Sequence, residues 1–289
     1  MNLKIIVLSL SLSLAFFGCD LPTTNKQEDN STEVDSVKAI HQNLSEGEQF
    51  VYSIEQAHQK AEVFSKEVIQ FDLNLMFGGN SRFSGTISMT PDGSLIKMED
   101  SNKTVIWDGE EVLVSPDTAS IKGTRFDVLT WSYFFAAAYK LSDPGAKMEI
   151  LGERNLTITA SETADSSGVN YNAGKLTFKN GVGDSPDDWY IVYQDKETDL
   201  MAAMAYIVTY GGKDQEKAEK NPHAITYEAY AEIEGIPFAT QWNFWTWNQV
   251  GELDKLLGEA SLSNIRFVKK SADFFKPASN SKSVEKPEA

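Results

Sequence analysis

From Phe71 onward the side chains alternate with a period of two, Phe71, Leu73, Leu75 and Phe77 set against Asp72, Asn74 and Met76. Successive side chains of an extended chain point to opposite faces, so this pattern predicts a half-buried strand, which Gly78-Gly79-Asn80 ends. Phe83, Gly85, Ile87 and Met89 repeat the alternation on the way back. Asp92-Gly93 and Asp108-Gly109 are hairpin dipeptides, because glycine takes the positive φ that tight hairpin turns demand. They bracket strands at 95–98 and 104–107, with another at 112–114. Further strand patterns occur at 148–151, 156–160, 175–178, 189–193, 203–209, 225–233, 237–247 and 260–268. Many sequential strands with turn signals between them predict a mainly β (α+β) fold, a large curved antiparallel sheet or incomplete β-barrel of about 11 strands.

Three segments carry helical spacing instead. Val34, Val37, Ile40 and Leu44 make one short amphipathic stripe, and Ile54, Ala57, Ala61, Phe64 and Val68 make a second, led by the capping-box pattern Ser45-x-x-Glu48. His58 flanks that second stripe and reads as a helix-flank histidine rather than a catalyst. The third segment, 126–141, has no charge between Asp127 and Lys140, with Thr124-x-x-Asp127 placed to cap it and Asp143-Pro144-Gly145 to stop it. A helix apolar nearly all round must be buried all round. It is either a core helix between a sheet and another element, or a plug or lid that fills the sheet's concavity and moves to admit an apolar ligand.

Composition narrows the partners. Lys and Arg total 26 against 42 Asp and Glu, a net charge of −16, so a protein that tracks nucleic-acid phosphates is excluded. One cysteine makes no internal disulfide, and three histidines, His41, His58 and His223, make no zinc site without carboxylates. That cysteine sits at a telling place. Lys4 precedes an apolar run over 5–17 that ends at Gly18-Cys19, a run of about thirteen residues against the ~20 that a spanning helix needs. Phe16-Phe17-Gly18-Cys19 resembles the bacterial lipobox, with Phe16 where the pattern usually has Leu. The resemblance implies that Cys19 becomes an acylated N-terminus, and more than one acyl chain gives a stable membrane anchor. The expected organisation is a lipoprotein signal at 1–19, a flexible tether at 20–35, a single β-rich domain at 36–275 and a disordered tail at 276–289. The protein is expected to be exported, monomeric and lipid-anchored to a bacterial membrane, at the outer membrane or periplasmic face in preference to the inner membrane.

The candidate chemistry is mostly aromatic. In 241–248, Trp242 and Phe244 share one strand face while Trp245 and Trp247 share the other. Three readings stand: plain core packing, an apolar ligand cavity, or an aromatic platform for sugar rings. Trp131, Phe134, Phe135, Trp242, Phe244, Trp245 and Trp247 are the candidate ligand-lining residues. Carboxylates concentrate at Asp184, Asp187 and Asp188, where like charges would raise a pKa or bind a cation. Asp195, Glu197 and Asp199 alternate as in a calcium loop, but Leu200 and Tyr206 stand where such a loop has Gly and Glu, which favours a solvated turn. His223 lies in a turn before a strand. The second functional reading is an envelope hydrolase or glycan-binding protein using Asp187, Asp188 and His223. No GxSxG, HExxH, P-loop or complete GxGxxG occurs, so no catalytic residue, metal or cofactor is assigned, and a binding protein is preferred to an enzyme.

Two resemblances follow from these residues. The N-terminal helix, the 71–77 strand, the Gly-containing hairpin, the Trp107-Asp108-Gly109 turn and the hydrophobic helical insertion resemble the lipoprotein-carrier superfamily typified by LolA and LolB, over about residues 50–270. That likeness implies an incomplete antiparallel barrel covered by helices, around an apolar cavity for acyl chains. Stretches at 130–135, 140–145, 181–190, 222–225 and 235–237 are similar to a group of uncharacterised exported proteins of Bacteroidota, a likeness that implies no activity. Together they imply a lipid-anchored envelope protein that binds a lipid or acyl chain.

Overall fold

The structure is a computed structural model that describes residues 43–159, 168–179, 183–185 and 187–287. The segments expected as signal (1–19) and tether (20–35), Cys19 and the first helical stripe up to Ile40 lie outside the described residues.

Ser45 opens helix α1 (Glu46–Ala57) with the expected capping box: its side chain accepts from the Glu48 amide, and the Glu48 carboxylate accepts from the Ser45 amide. Phe50, Val51 and Ile54 turn inward. The second stripe was expected to continue as one helix to Val68, but it breaks at Gln59, which takes a left-handed φ of 53°. His58 is the reason. Its ring is buried and Nε2 accepts the Met201 amide at 3.1 Å, which fixes the chain there. Helix α2 (Lys60–Phe64) restarts out of phase, burying Val63 and leaving Ala61 and Phe64 exposed, and Val68 belongs to the first strand.

Thirteen strands among the described residues form one sheet: β1 (Val68–Phe77), β2 (Asn80–Met89), β3 (Ile96–Glu99), β4 (Thr104–Trp107), β5 (Val112–Ser115), β6 (Ala146–Ile158), β7 (Val169–Phe178), β8 (Tyr190–Gln194), β9 (Met201–Tyr206), β10 (His223–Ile233), β11 (Ile236–Trp247), β12 (Glu252–Val268) and β13 (Lys282–Val284). The order is β11-β10-β9-β8-β7-β6-β12-β1-β2-β3-β4-β5-β13, and β11 also pairs with β12. The curved antiparallel sheet expected from the sequence is therefore present. The strands expected at 148–151 and 156–160 are joined in the one long strand Ala146–Ile158, with a bulge between Ile150 and Gly152. The tail expected to be disordered supplies β13, which pairs with β5 from Lys282↔Val114 to Val284↔Val112 and buries Val284. An open edge offers unpaired amides and carbonyls, and an extended segment ending in a valine satisfies them.

The sheet closes on itself at one end. Strands β6 to β12 form a ring, sealed where Glu252 and Leu253 lie parallel to Thr157 and Ile158. The Thr157 and Thr159 amides donate to the Gly251 and Leu253 carbonyls at 2.8 and 2.9 Å. Gly251 has φ +86° and lies so close that a Cβ there would overlap the Asn155 carbonyl, so the seal requires glycine. Inside the ring sits a small core of Trp189, Tyr193, Trp245, Trp247, Leu253 and their neighbours.

The larger core lies on the other face, around helix α3 (Thr124–Ala136), which runs on as a 3₁₀ turn at Ala137–Tyr139. Phenylalanine, tryptophan, threonine, valine, serine and tyrosine are mediocre helix formers, so α3 owes its stability to burial rather than propensity. Phe135 stacks on Phe71 of β1 at 4.0 Å and on Phe238 of β11 at 5.5 Å, pinning the helix across the sheet. Tyr227 Oη donates to the Phe134 carbonyl at 3.0 Å, satisfying an acceptor near the helix end. The capping expectation for Thr124 and Asp127 is corrected. Gly123, at φ +71°, is the cap and Thr124 lies inside the helix, where its hydroxyl accepts from Lys103; Asp127 pairs with Arg82 at 2.6 Å. The unit Leu44–Ala289 is compact and holds both cores.

Candidate functional site

Between α3 and the sheet lies a cavity of about 1050 Å³, partly open to solvent and mostly apolar. It reaches the upper end of the size range of small-molecule pockets, roughly 300–1,000 Å³. One wall is α3, through Phe126, Leu129, Trp131, Tyr133 and Phe134; the other is the sheet, through Phe77, Phe178, Tyr190, Tyr206, Phe244 and Leu257. A register row explains part of that wall: Tyr190 pairs with Tyr206 and Tyr206 with His223, so β8, β9 and β10 present a ladder of rings 6.2 and 5.9 Å apart. On the floor, Gly258 of β12 is the register partner of both Phe77 and Phe244, whose rings meet at 4.9 Å. A Cβ at Gly258 would overlap the Met76 carbonyl and the Phe77 ring, so glycine permits this contact.

The sequence-derived lining set divides three ways. Trp131, Phe134 and Phe244 line the cavity. Phe135 and Trp242 do not: they line a void of about 20 Å³ beside His58, room for little more than one water. Trp245 and Trp247 face the ring core instead, their indole N–H groups donating to Thr226 Oγ1 at 3.2 Å and Tyr193 Oη at 3.1 Å. The alternation of the 237–247 strand was legible, but the aromatic pair on its far face is packing. Tyr133, Tyr190, Tyr206, Phe178, Leu129 and Phe77 line the cavity without having been singled out. Leu129 and Tyr133 carry a readable signal in their place on the apolar helix, and Phe77 in the alternating 71–77 strand; Phe178, Tyr190 and Tyr206 need the cross-strand register.

Ion pairs surround the cavity. Arg125 forms a two-bond fork on Asp184 at 2.6 and 3.1 Å and lies over the Trp107 ring at 5.2 Å. Lys286, just beyond β13, reaches the same carboxylate at 3.2 Å, and Lys140 pairs with Asp143 at 2.6 Å. Burial pushes Asp184 up, but the Arg125 and Lys286 cations outweigh it and hold the carboxyl below its ordinary value. Asp127 goes the other way: burial outweighs Arg82 and Lys103 and raises it to about 6. Asp188 is likewise raised to about 6, by burial first and by the Asp187 charge in addition, although its Oδ1 accepts from the Thr209 amide and hydroxyl, both at 2.7 Å.

The three residues of the hydrolase reading are not brought together. Asp188 and His223 line the cavity, but Asp187 is exposed and does not. The His223 ring meets Asn221 at 3.4 Å, and its pKa lies below the ordinary value because of burial and then the Lys213 charge. Asp195 closes a turn, accepting from the Glu197 and Thr198 amides at 3.1 and 2.8 Å, as a solvated loop does. Among the described residues no group of three or more His, Cys, Asp and Glu is placed to hold a metal ion, and no helix is long and apolar enough to cross a membrane.

No family model matches the sequence, and no curated protein matches it. Solved structures do resemble it. A LolA superfamily protein from Nitrosomonas europaea is 10% identical with a TM-score of 0.48, covering 77% of this chain and 97% of that one. A DUF1329 family protein from Desulfovibrio piger is 14% identical with a TM-score of 0.47, covering 78% and 96%. A putative outer membrane lipoprotein-sorting protein domain from Vibrio parahaemolyticus is 12% identical with a TM-score of 0.39, covering 78% and 97%.

Proposed function

We propose that this chain binds a lipid or acyl chain in the cavity between α3 and the sheet, as a LolA/LolB-like half-barrel would, without covalent chemistry. It does so as an exported protein held at a bacterial membrane by acyl chains on Cys19. The observation that carries the reading is the cavity itself, about 1050 Å³ with walls of Leu129, Trp131, Phe134, Phe178 and Phe244. An apolar hollow this large exposes surface to water that a guest chain would cover, at about 0.8 kcal/mol per buried methylene. The ligand enters by displacing water along α3, whose Leu129 and Thr130 flank is only half-buried.

The test is a purification of residues 44–289 without detergent, followed by native mass spectrometry and lipid extraction. A unit with its own core folds alone. We expect a stoichiometric lipid that is lost in Leu129→Asp, which places a charge on the cavity wall while leaving the Phe71–Phe135–Phe238 stack intact. A folded protein that carries no lipid and takes up no apolar fluorescent dye refutes the reading.

A further inference from the structure

The apolar wall is interrupted at one place. Trp131 Nε1, Ser132 Oγ and Tyr133 Oη are buried with no hydrogen-bond partner among the described residues, and all three residues line the cavity. Buried polar atoms are nearly always paired, and an orphan calls for an explanation. The Trp131 N–H has a partial one, since it lies by the Asp127 carboxylate and helps to hold it charged. Ser132 and Tyr133 have none among the described residues.

Tyr133 is not alone. Its ring lies 5.4 Å from that of Tyr190, and the Asp188 charge acts on both phenols, raising their pKa further beyond what burial does. Both therefore stay protonated and able to donate. The two hydrogen bonds at Asp188 engage Oδ1, so Oδ2 remains to accept another. Two neighbouring phenol donors and a carboxylate acceptor thus line the same otherwise greasy cavity. Lys213, whose charge acts on Asp188 and His223, is not among the lining residues, and the cations that line the cavity are all committed: Arg82 to Asp127, Arg125 and Lys286 to Asp184, Lys140 to Asp143. A carboxylate or phosphate head would find no free cation there and would face Asp188.

We propose that Tyr133, Tyr190 and Asp188 form a subsite for the neutral hydroxyl end of an amphiphile, whose chain lies along the apolar wall. An alcohol accepts from a phenol and donates to the carboxylate, which satisfies both sides at once. The inference rests on the apolar-ligand reading above and adds the chemistry of the ligand's polar end.

Competition against a bound apolar dye tests it, with residues 44–289 at pH 7.5 and 1-decanol, decanoate and decylamine as probes. Decanol is expected to bind about tenfold tighter than decanoate, the scale of one well-made hydrogen bond. Tyr133→Phe should weaken decanol about tenfold, leave decanoate unchanged, and keep or raise the melting temperature of the ligand-free protein, because it removes an orphan hydroxyl. Asp188→Asn, which still accepts from Thr209, should bring decanoate up toward decanol. Decanoate or decylamine binding as tightly as decanol, or a folded Tyr133→Phe with unchanged decanol affinity, overturns the subsite but leaves the apolar-ligand reading standing. Failure of the dye and every probe to bind overturns both.

Discussion

The two faces of strand β11 carry equally aromatic side chains and do opposite things. Trp245 and Trp247 look into the ring of β6 to β12, where the chain closes on itself and every indole N–H finds a partner. Phe244 looks the other way, toward α3, where the sheet stays open and the helix spans it without filling it. Aromatic density alone therefore does not mark a binding site. What separates the faces is closure: a ring of strands brings opposing side chains within contact, whereas a helix held across a curved sheet by the Phe71–Phe135–Phe238 stack leaves space beside it.

The largest expected effect tests that difference with matched truncations. Trp247→Ala removes a buried side chain from the closed core and strips Tyr193 Oη of its donor, and should cost about 3–5 kcal/mol in urea unfolding. Leu129→Ala, on the cavity wall, should cost about 1 kcal/mol, because that side chain already borders a void. Equal losses would mean that the hollow is packed like the ring, and the comparison would collapse.

A smaller effect should follow from breaking the seal. Gly251→Val forces a β-branched residue into φ +86° and against the Asn155 carbonyl, a loss of about 1–3 kcal/mol. Hydrogen exchange should show it first at the Thr157 and Thr159 amides, which bond across the seal. Amides of β1 to β5 should keep their protection. Uniform loss across the sheet would show that the ring and the open meander unfold as a single unit.

Much of this architecture was legible beforehand, for a physical reason. Period-two alternation reports which face of a strand is buried, so the 71–77, 83–89 and 237–247 strands and the buried helix at 126–141 could be read from neighbours in sequence. What stayed hidden depends on partners far along the chain. The Tyr190–Tyr206–His223 ladder exists only because three strands share one register, and no local pattern encodes that. The break at Gln59 is of the same kind, since a histidine held by the distant Met201 amide overrides a continuous helical stripe. The strand at Lys282–Val284 has the composition of a loop, and only the waiting edge of β5 makes it a strand.

The smallest effect separates the faces by charge. Asp188 borders the open cavity with a pKa raised from 3.8 to about 6, whereas the core inside the ring is apolar and aromatic. A folded-state pKa above the unfolded one means that the native protein binds the extra proton between those values. The stability contributed by Asp188 is thus fully present below about pH 3.8 and is lost as pH rises through about 6. Asp188→Asn should therefore stabilise the protein by about 1–2 kcal/mol at pH 7, and the gain should vanish near pH 4. His58 acts with the opposite sign, since burial lowers its pKa from 6.5 to about 4 and its contribution fades as pH falls through that window. Because His58 is common to both proteins, the difference between their denaturant midpoints across pH 4–7 isolates the cavity carboxylate. A difference that stays constant with pH would mean that Asp188 is as well solvated as a surface group, and that water rather than protein lines this end of the cavity.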